Sequence, residues 1–326
     1  MPETSYAKYV AISVIIIAIF AVVYYNLRQE KLAPAEEIHS PYKIAFSMKV
    51  GDNEDLYLVD TEGNLERITT SPGREFLPSW SPDRSKMAFV STTQDPNGEI
   101  YVLDMSSRNG RRITNNSAVD TTPVWSKDGT KIAFLSSRWS ANATRGFYNS
   151  SLELYTMNTD GTSVSRRTGT LGNVYEDLPV QWLPDNKLLF AYKSIDNPFT
   201  VSTLDISGTL QRVSLPNGTG YPVYSPDRSK AAFVFSKGLG NIDLYVMNPD
   251  GSNLLRLTDN AEAERNPDWS PDGSAIVFVK DSSVGIEKNY TAANIRDLYI
   301  IGADGCCMKK LASGSISAFH MPAWSR

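Results

Sequence analysis

Four carboxylates recur at nearly equivalent points of the chain, each shortly before a tryptophan: Glu75, Asp120, Asp177 and Glu264. Carboxylate oxygens that converge can bind a hard cation such as Ca²⁺. They can also receive a lysine or arginine from a partner. Alternatively, each could cap its own strand or pair locally with a neighbour such as Arg74 or Arg265. The residue types and spacing leave these three interpretations open.

A second group of candidates is aromatic and basic, and most of it lies in two polar insertions. The first insertion carries Trp139, Arg145, Phe147 and Tyr148; the second carries Ile286, Lys288 and Tyr290; Arg265 and His320 precede two of the later tryptophans. Aromatic residues and arginine are the types that dominate binding hot spots. We therefore predict that these side chains bind a partner. The alternative is that the insertions are solvent-exposed surface loops with no binding role.

Nucleophilic catalysis has little support in the sequence. It contains no Gly-x-Ser-x-Gly pattern. His39 and His320 are its only two histidines, which excludes a histidine-rich metal site, and a single histidine near a channel is more often structural. The sequence therefore predicts no catalytic residue and no cofactor, with a Ca²⁺-like ion held by the four carboxylates as the weaker alternative.

The elements that must position these residues form a repeat. Its anchors are aromatic, spaced by 45, 57, 42, 45 and 55 residues: Trp80, Trp125, Trp182, Tyr224, Trp269 and Trp324. After each anchor but the last come a turn such as Ser-Pro-Asp-Gly, an apolar run such as Ile-Ala-Phe, a second run such as Asp-Leu-Tyr-Val and a basic strand such as Arg-Ile-Thr. Short runs rich in β-branched and aromatic residues indicate strands. The repeat is thus four antiparallel strands joined by hairpins.

Six copies of this unit predict an all-β, six-bladed β-propeller. The first copy begins at its second strand, near Tyr42, and the last tryptophan, Trp324, has no strands after it. Each incomplete copy supplies what the other lacks. We expect the C-terminal strand to pair beside the strand that contains Ile44, which closes the ring and removes its open edges.

The repeat resembles the TolB-like propeller family, whose motif is Pro-x-Trp-Ser-Pro-Asp-Gly followed by Ile-Ala-Phe and Asp-Ile-Tyr-Val-Met-Asn-x-Asp-Gly. The resemblance covers roughly residues 42–326 and is best at Trp269–Phe278 and Asp243–Ser252. It implies a propeller, protein docking at one face and a location outside the cytoplasm. In TolB proper an α/β domain precedes the propeller, and we expect no counterpart of it in residues 1–41.

Residues 9–27 form a long apolar run, flanked by Lys8 on one side and by Arg28 and Lys31 on the other. Its length predicts a transmembrane signal anchor. A cleaved signal peptide is the alternative, since Ala33-Pro34-Ala35 resembles a cleavage site. We therefore divide the chain into a short tail (1–8), the helix (9–27), a polar tether (28–41) and the propeller (42–326).

Strand alternation gives the propeller two distinct faces. The turn face carries the connections between strands 1 and 2 and between strands 3 and 4, and the aspartates of its Ser-Pro-Asp-Gly turns are expected to be turn formers. At Arg84 and Arg228 arginine replaces the glycine, so those turns should be strained or of another type. The loop face carries the 2–3 connections and the links between blades. The two insertions lie there, in the diametrically opposed blades three and six.

These features favour a membrane-tethered, non-catalytic binding module. Its partner would be a protein, a peptide or another cell-envelope component at the loop face around the channel mouth. Net charge of −4 argues against nucleic acid. The alternatives are a metal-dependent propeller enzyme of the lyase or lactone hydrolase type, and a prolyl-oligopeptidase-like propeller that lacks its catalytic domain. Family resemblance, rather than charge, predicts a single-pass protein with an extracytoplasmic propeller.

Overall fold

The computed structural model describes residues 38–139, 152–169, 174, 178–193, 199–215, 220–238, 241–281, 296–316 and 321–325. Within these ranges the chain is all-β, and no helix is long and apolar enough to cross a membrane. The apolar run 9–27 lies outside them.

The strands form a six-bladed propeller, as the repeat predicts. Blade 1 contains β1 (Ile44–Val50), β2 (Asn53–Val59) and β3 (Leu65–Arg67). Blade 2 contains β4 (Glu75–Trp80), β5 (Lys86–Ser91), β6 (Glu99–Asp104) and β7 (Gly110–Arg112). Blade 3 contains β8 (Asp120–Trp125), β9 (Lys131–Ser136), β10 (Glu153–Asn158) and β11 (Ser165–Arg166).

The second half repeats the same order. Blade 4 contains β12 (Gln181–Trp182), β13 (Leu188–Tyr192), β14 (Thr200–Leu204) and β15 (Leu210–Arg212). Blade 5 contains β16 (Val223–Tyr224), β17 (Ala231–Gly238), β18 (Asn241–Met247) and β19 (Leu255–Arg256). Blade 6 contains β20 (Glu264–Trp269), β21 (Ala275–Asp281), β22 (Arg296–Gly302) and β23 (Lys309–Ile316), and β24 (Ala323–Trp324) completes blade 1.

The ring closes through its C-terminal strand, which confirms the predicted pairing. Trp324 is the register partner of Ile44, and Ala323 that of Ala45. The backbone N–H of Ser325 also donates to the carbonyl of Lys43 at 2.8 Å. The sequence did not predict one further contact: β23 pairs with β1 through Ile316 and Ser315, opposite Met48 and Lys49, which joins blades 6 and 1 into one eight-stranded sheet.

Five of the six blade cores are built around a cross-strand aromatic pair, which explains why Ala-Phe and Leu-Tyr recur in the sequence. The phenylalanine of the second strand is the register partner of the tyrosine of the third in blades 1, 2, 3, 5 and 6, with ring centroids 5.6–6.1 Å apart. In blade 4, Phe190 is instead opposite Ser202. Phe46, Phe134, Phe190, Phe233 and Phe278 are all fully buried.

Neighbouring blades are linked by hydrogen bonds whose type alternates around the ring. At three junctions an indole Nε1 donates to the backbone carbonyl of the residue before the preceding anchor: Trp80 to Ala323 at 3.2 Å, Trp182 to Val124 at 3.2 Å and Trp269 to Val223 at 2.7 Å. At the other three a polar side chain in that position accepts the backbone N–H of the next anchor: Ser79 from Trp125 at 3.3 Å, Gln181 from Tyr224 at 3.2 Å and Asp268 from Trp324 at 3.1 Å. The residue before the anchor is therefore polar in alternate blades.

The turn face is regular. In the turn after Trp80, Ser81 Oγ donates to Asp83 Oδ1 at 2.6 Å and accepts the N–H of Lys86 at 2.9 Å, and the same bonds recur in the equivalent turns that begin at Ser126, Ser225 and Ser270. Arg84 and Arg228 adopt φ of 62° and 60°, close to the 71° and 72° of Gly129 and Gly273. These turns are thus strained, as predicted, and keep the shape of the glycine turns.

Residues 38–41, the end of the predicted tether, contact the propeller. Ile38 packs with Tyr42 against the blade 1 core, and the backbone N–H of Ser40 donates to Thr61 Oγ1 at 3.3 Å. His39 Nδ1 lies 3.2 Å from Glu62 Oε1 on the exposed surface. In blade 6, Cys306 and Cys307 are free thiols.

Candidate binding face and central channel

Three of the four predicted carboxylates lie where inner strands begin, on the loop face, and all three are fully buried: Glu75, Asp120 and Glu264. Glu75 Oε1 accepts hydrogen bonds from Ser91 Oγ at 2.9 Å and Thr93 Oγ1 at 3.0 Å. Glu264 Oε1 accepts one from Asn260 Nδ2 at 2.8 Å. The donors to Glu75 lie in its own blade, and Asn260 lies in the link that precedes blade 6. Asp177 lies outside the described residues.

Asp120 is held by an arginine that the sequence analysis did not single out. Arg138 Nη2 donates to both carboxylate oxygens of Asp120, at 3.0 and 2.8 Å. The same guanidinium lies 5.0 Å from the ring centroids of Phe134 and Tyr155. A charge-assisted pair with aromatic support fixes this carboxylate in its own blade. The signal available in the sequence was the position of Arg138, two residues after the strand that pairs with Asp120.

Burial raises the pKa values of two of these carboxyl groups, Glu75 and Glu264. Desolvation raises the pKa of Glu75 by more than its bonds to Ser91 and Thr93 lower it. Desolvation likewise raises the pKa of Glu264, outweighing the bond from Asn260. In both, burial favours the neutral acid, which is a poorer ligand for a hard cation than a carboxylate.

The described residues contain no group of three His, Cys, Asp or Glu side chains arranged to hold a metal ion. The two nearby arginines, Arg74 and Arg265, do not pair with the described carboxylates of the repeat. Arg74 donates to Glu54 at 2.9 Å, and Arg265 lies 3.3 Å from Asp281, which also accepts from Arg296 at 2.6 Å. Arg74 and Arg265 therefore pair with acidic residues other than the four carboxylates of the repeat.

Of the predicted partner-binding residues, Trp139 and Arg265 are described. Trp139 is 71% exposed, which it shares with Ile206 as the highest exposure among the large apolar side chains that the structure describes. The Arg166 guanidinium lies 4.8 Å from the Trp139 ring centroid, which places Trp139 near the outermost strand of blade 3. The remaining candidates lie outside the described residues: Arg145, Phe147, Tyr148, Lys288, Tyr290 and His320.

Around the loop face, a second ring of ion pairs joins the third and fourth strands of five blades. The pairs are Arg67–Asp55, Arg112–Glu99, Arg166–Glu153, Arg256–Asp243 and Lys310–Asp297. In blade 4, Thr200 occupies the position that the other blades use for the acid. These pairs anchor the outer strands near the loops that vary most.

The inner strands line a central channel that contains a cavity of about 140 Å³. Its walls include six prolines and four tryptophans, Trp80, Trp125, Trp182 and Trp324. The inner strands of blades 2, 3 and 6 are bulged, each with a residue other than glycine at positive φ: Leu77 at 55°, Thr122 at 51° and Asn266 at 52°. Backbone strain of this kind persists only where the surroundings impose it.

A family model described as the TolB beta propeller domain matches residues 39–213, more than half of the chain. The chain belongs to the TolB β-propeller family. A TolB homolog of Chlorobium luteolum is 37% identical over 70 residues, 21% of this chain and 16% of that protein. The Tol-Pal system protein TolB of Syntrophotalea carbinolica is 40% identical over 52 residues, 16% of this chain and 12% of that protein.

The crystal structure of TolB from Acinetobacter baumannii superimposes with a TM-score of 0.64 at 21% identity, covering 87% of this chain and 66% of that one. This likeness establishes the fold. The matched segments span under two thirds of each of these relatives.

Proposed function

We propose that the chain is a membrane-tethered, non-catalytic binding module whose loop face docks a protein, a peptide or another cell-envelope component. The observation that carries this proposal is the exposure of Trp139, which presents an indole ring to solvent on the face that carries the long insertions. Exposed aromatic side chains backed by arginine are typical of binding hot spots.

The lengths of the connections support the same face. On the turn face, the 1–2 connections in blades 2, 3, 4 and 6 have five residues each: 81–85, 126–130, 183–187 and 270–274. On the loop face, the 2–3 connections have two residues in blades 1 and 5 (51–52, 239–240), seven in blades 2 and 4 (92–98, 193–199), sixteen in blade 3 (137–152) and fourteen in blade 6 (282–295). Variation of loops on one face of a rigid scaffold is the usual way in which propellers acquire binding specificity.

The buried carboxyls support docking over catalysis. One oxygen of Glu75, one oxygen of Glu264 and both oxygens of Asp120 accept hydrogen bonds from neighbouring side chains, and burial favours the neutral form of Glu75 and Glu264. In this proposal they stabilise the inner strands, and the exposed aromatic and basic side chains contact the partner. Membership of the TolB family and the apolar run 9–27 support an anchored propeller on the extracytoplasmic side.

The test is affinity capture of the full chain from native membranes, with quantitative mass spectrometry of what is recovered. We expect Trp139→Ala to reduce recovery of the specific partner by at least about tenfold, the effect of losing a contact of about 1.4 kcal/mol or more. The matched control is Leu254→Ala, because Leu254 is 60% exposed and lies on the turn face.

Equal recovery by Trp139→Ala and the wild type would remove the proposal. So would a loss with Leu254→Ala as large as that with Trp139→Ala, since the turn face would then bind as well. Circular dichroism of both variants establishes that the fold is unchanged.

A further inference from the structure

One position of the repeat departs from its pattern in a single blade. The residue that follows the basic residue of the fourth strand is apolar in five blades, and arginine in blade 3: Ile68, Ile113, Arg167, Val213, Leu257 and Leu311. The positions are equivalent in space, because the N–H of Arg167 donates to the carbonyl of Leu154 just as that of Ile68 donates to Leu56 and that of Leu257 to Leu244, all at 2.8 Å.

In the other blades this apolar residue packs in the core. Ile68 joins the cluster that contains Met87 and Phe89 of the following blade, and Leu311 joins the blade 1 cluster around Ile44. At the junction between blades 3 and 4, by contrast, a cavity of about 160 Å³ lies against Arg167.

The 3–4 turns show that blade 4 packs less closely against blade 3 than blade 3 packs against blade 2. A Cβ placed on Gly161, in the 3–4 turn of blade 3, would lie 2.2 Å from the Ile113 carbonyl oxygen of blade 2. A Cβ placed on Gly208, the equivalent residue of blade 4, would meet no atom within 4 Å. The turn of blade 4 therefore stands away from blade 3, and the cavity lies between them.

Two cations face this cavity. Arg167 Nη2 donates to the carbonyls of Asp205 and Ile206 at 3.1 and 2.6 Å, and Lys131 Nζ donates to Asn158 Oδ1 at 2.6 Å. Among the described residues, no carboxylate oxygen lies within 4.0 Å of either cation. The carboxylate of Asp205 accepts bonds from its own turn, from Ser207 Oγ at 2.7 Å and Thr209 N at 2.7 Å.

Much of the remaining wall is apolar, and Asn186, Asp205 and three hydroxyl residues also line it. Trp182, Leu188, Leu204 and Ile206 contribute to it, together with hydroxyl groups such as that of Thr156. Its volume is close to that of cavities, on the order of 150 Å³, that accept a benzene molecule in other proteins. A site with cations at one side and apolar walls at the other suits an anion attached to a compact apolar group.

We propose that the cavity between blades 3 and 4 binds a small organic carboxylate whose apolar part is about the size of a benzene ring. The carboxylate is held by Arg167 and Lys131, and the apolar part packs against Trp182, Leu188 and Leu204. A bare inorganic anion would leave these apolar walls unused, and a neutral molecule would leave the two cations without a charged partner. This site lies apart from the loop face and is independent of the proposed function.

The site shares a wall with the channel. Trp182 lines both this cavity and the cavity of the central channel. A ligand in the cavity therefore contacts a side chain whose indole nitrogen also links blade 4 to blade 3 through Val124.

The test is a titration of the full chain in detergent, followed by ligand-observed NMR and calorimetry. The probes are benzoate and 4-methylpentanoate, with benzamide and inorganic phosphate as controls for charge and for the apolar group. We expect benzoate to bind with a Kd on the order of 1 mM, in keeping with the modest affinity of small ligands. Both controls should bind at least about tenfold more weakly.

The decisive variant is Arg167→Leu, which installs the residue found at the equivalent position of blades 5 and 6 and is therefore compatible with the fold. It should weaken benzoate binding at least about tenfold, whereas Arg111→Leu, which removes an exposed arginine of blade 2, should leave it unchanged. The proposal is overturned if the wild type binds neither carboxylate at about 50 mM, if benzamide or phosphate binds as well as benzoate, or if Arg167→Leu binds like the wild type.

Discussion

The two faces of the propeller use acidic residues in opposite ways. On the turn face, aspartates such as Asp83, Asp128 and Asp227 accept hydrogen bonds from the serine two residues before them, and these bonds lower their pKa values, that of Asp227 to about 2. On the loop face, desolvation raises the pKa values of Glu75 and Glu264. Environment, rather than residue type, sets the role of each carboxyl group.

The two faces also differ in how much the lengths of their connections vary. Each Ser-Pro-Asp turn is closed by its own side chains, so that face repeats almost without change around the ring. The loop face is fixed underneath by buried ion pairs such as Arg138–Asp120, and above them the connections range from two to sixteen residues. A rigid base with variable loops is the arrangement expected of a binding face.

The largest loss of stability should come from a substitution in the strand that closes the propeller ring. Trp324 is 1% exposed and pairs with Ile44, so Trp324→Ala should lower the free energy of unfolding by about 3–5 kcal/mol. Trp139→Ala, which truncates an exposed ring, should cost less than about 1 kcal/mol, the value of its contact with Arg166. Urea unfolding followed by circular dichroism measures both. Similar losses in the two variants would contradict the closure through Trp324.

The next effect compares two turns, the 3–4 turn of blade 3 on the turn face and the 2–3 turn of blade 1 on the loop face. Gly161 on the turn face has φ of 89° and lies against the Ile113 carbonyl, so Gly161→Ala adds a steric clash to backbone strain. We expect a loss of about 2–4 kcal/mol. Gly51 on the loop face has φ of 64° and open space around it, so Gly51→Ala should cost only about 1–2 kcal/mol. Thermal unfolding distinguishes them, and equal costs would show that the blade 3 turn is no tighter than the blade 1 turn.

The pH dependence of stability should have opposite signs on the two faces. Because the folded pKa values of Glu75 and Glu264 are raised above 4.5, their contribution is present below that pH and is lost as pH rises through the folded value. The variant Glu75→Gln/Glu264→Gln should therefore gain stability relative to the wild type between pH 4 and pH 8. Unfolding free energies across that range measure this gain, and a difference that is constant with pH would refute it.

For Asp227 the sign is reversed. Its pKa falls from 3.8 to about 2, so its contribution is present above pH 3.8 and is lost as pH falls towards 2. Asp227→Asn should thus be less stable than the wild type at pH 6, and the difference should shrink at pH 2. A difference that widens in acid would contradict the role of Ser225 as its hydrogen-bond donor.

The smallest effect concerns the strained arginine of a turn. Arg84→Gly relieves strain of about 1 kcal/mol but removes the contact between Arg84 and Tyr42, in which the guanidinium lies 4.8 Å from the ring. The net change should be within about 0.5 kcal/mol. In a Tyr42→Leu background the same substitution should stabilise by about 1 kcal/mol, because no ring contact remains to be lost. Denaturant unfolding of the four proteins tests this, and no gain in that background would show that the turn is unstrained.

Most of the fold could be predicted from the sequence, because its information is local and repeated. Strand order, ring closure through Trp324 and the strain at Arg84 follow from turn chemistry, alternation and the phase of the repeat. The pairing of β23 with β1 could not be predicted, because it depends on how far one strand continues past its own blade. Arg138 was missed for a similar reason, since its partner Asp120 is on a different strand. Arg167 was visible as a departure from the repeat, but only packing shows the cavity beside it.

The most direct test of the binding proposal is site-specific photo-crosslinking of the full chain in native membranes. A benzophenone amino acid is placed at position 139 on the loop face or at position 254 on the turn face, both of which are solvent-exposed. We predict a discrete crosslinked product from position 139 and none from position 254. The same product from both positions, or a product from position 254 alone, would contradict the assignment of binding to the loop face.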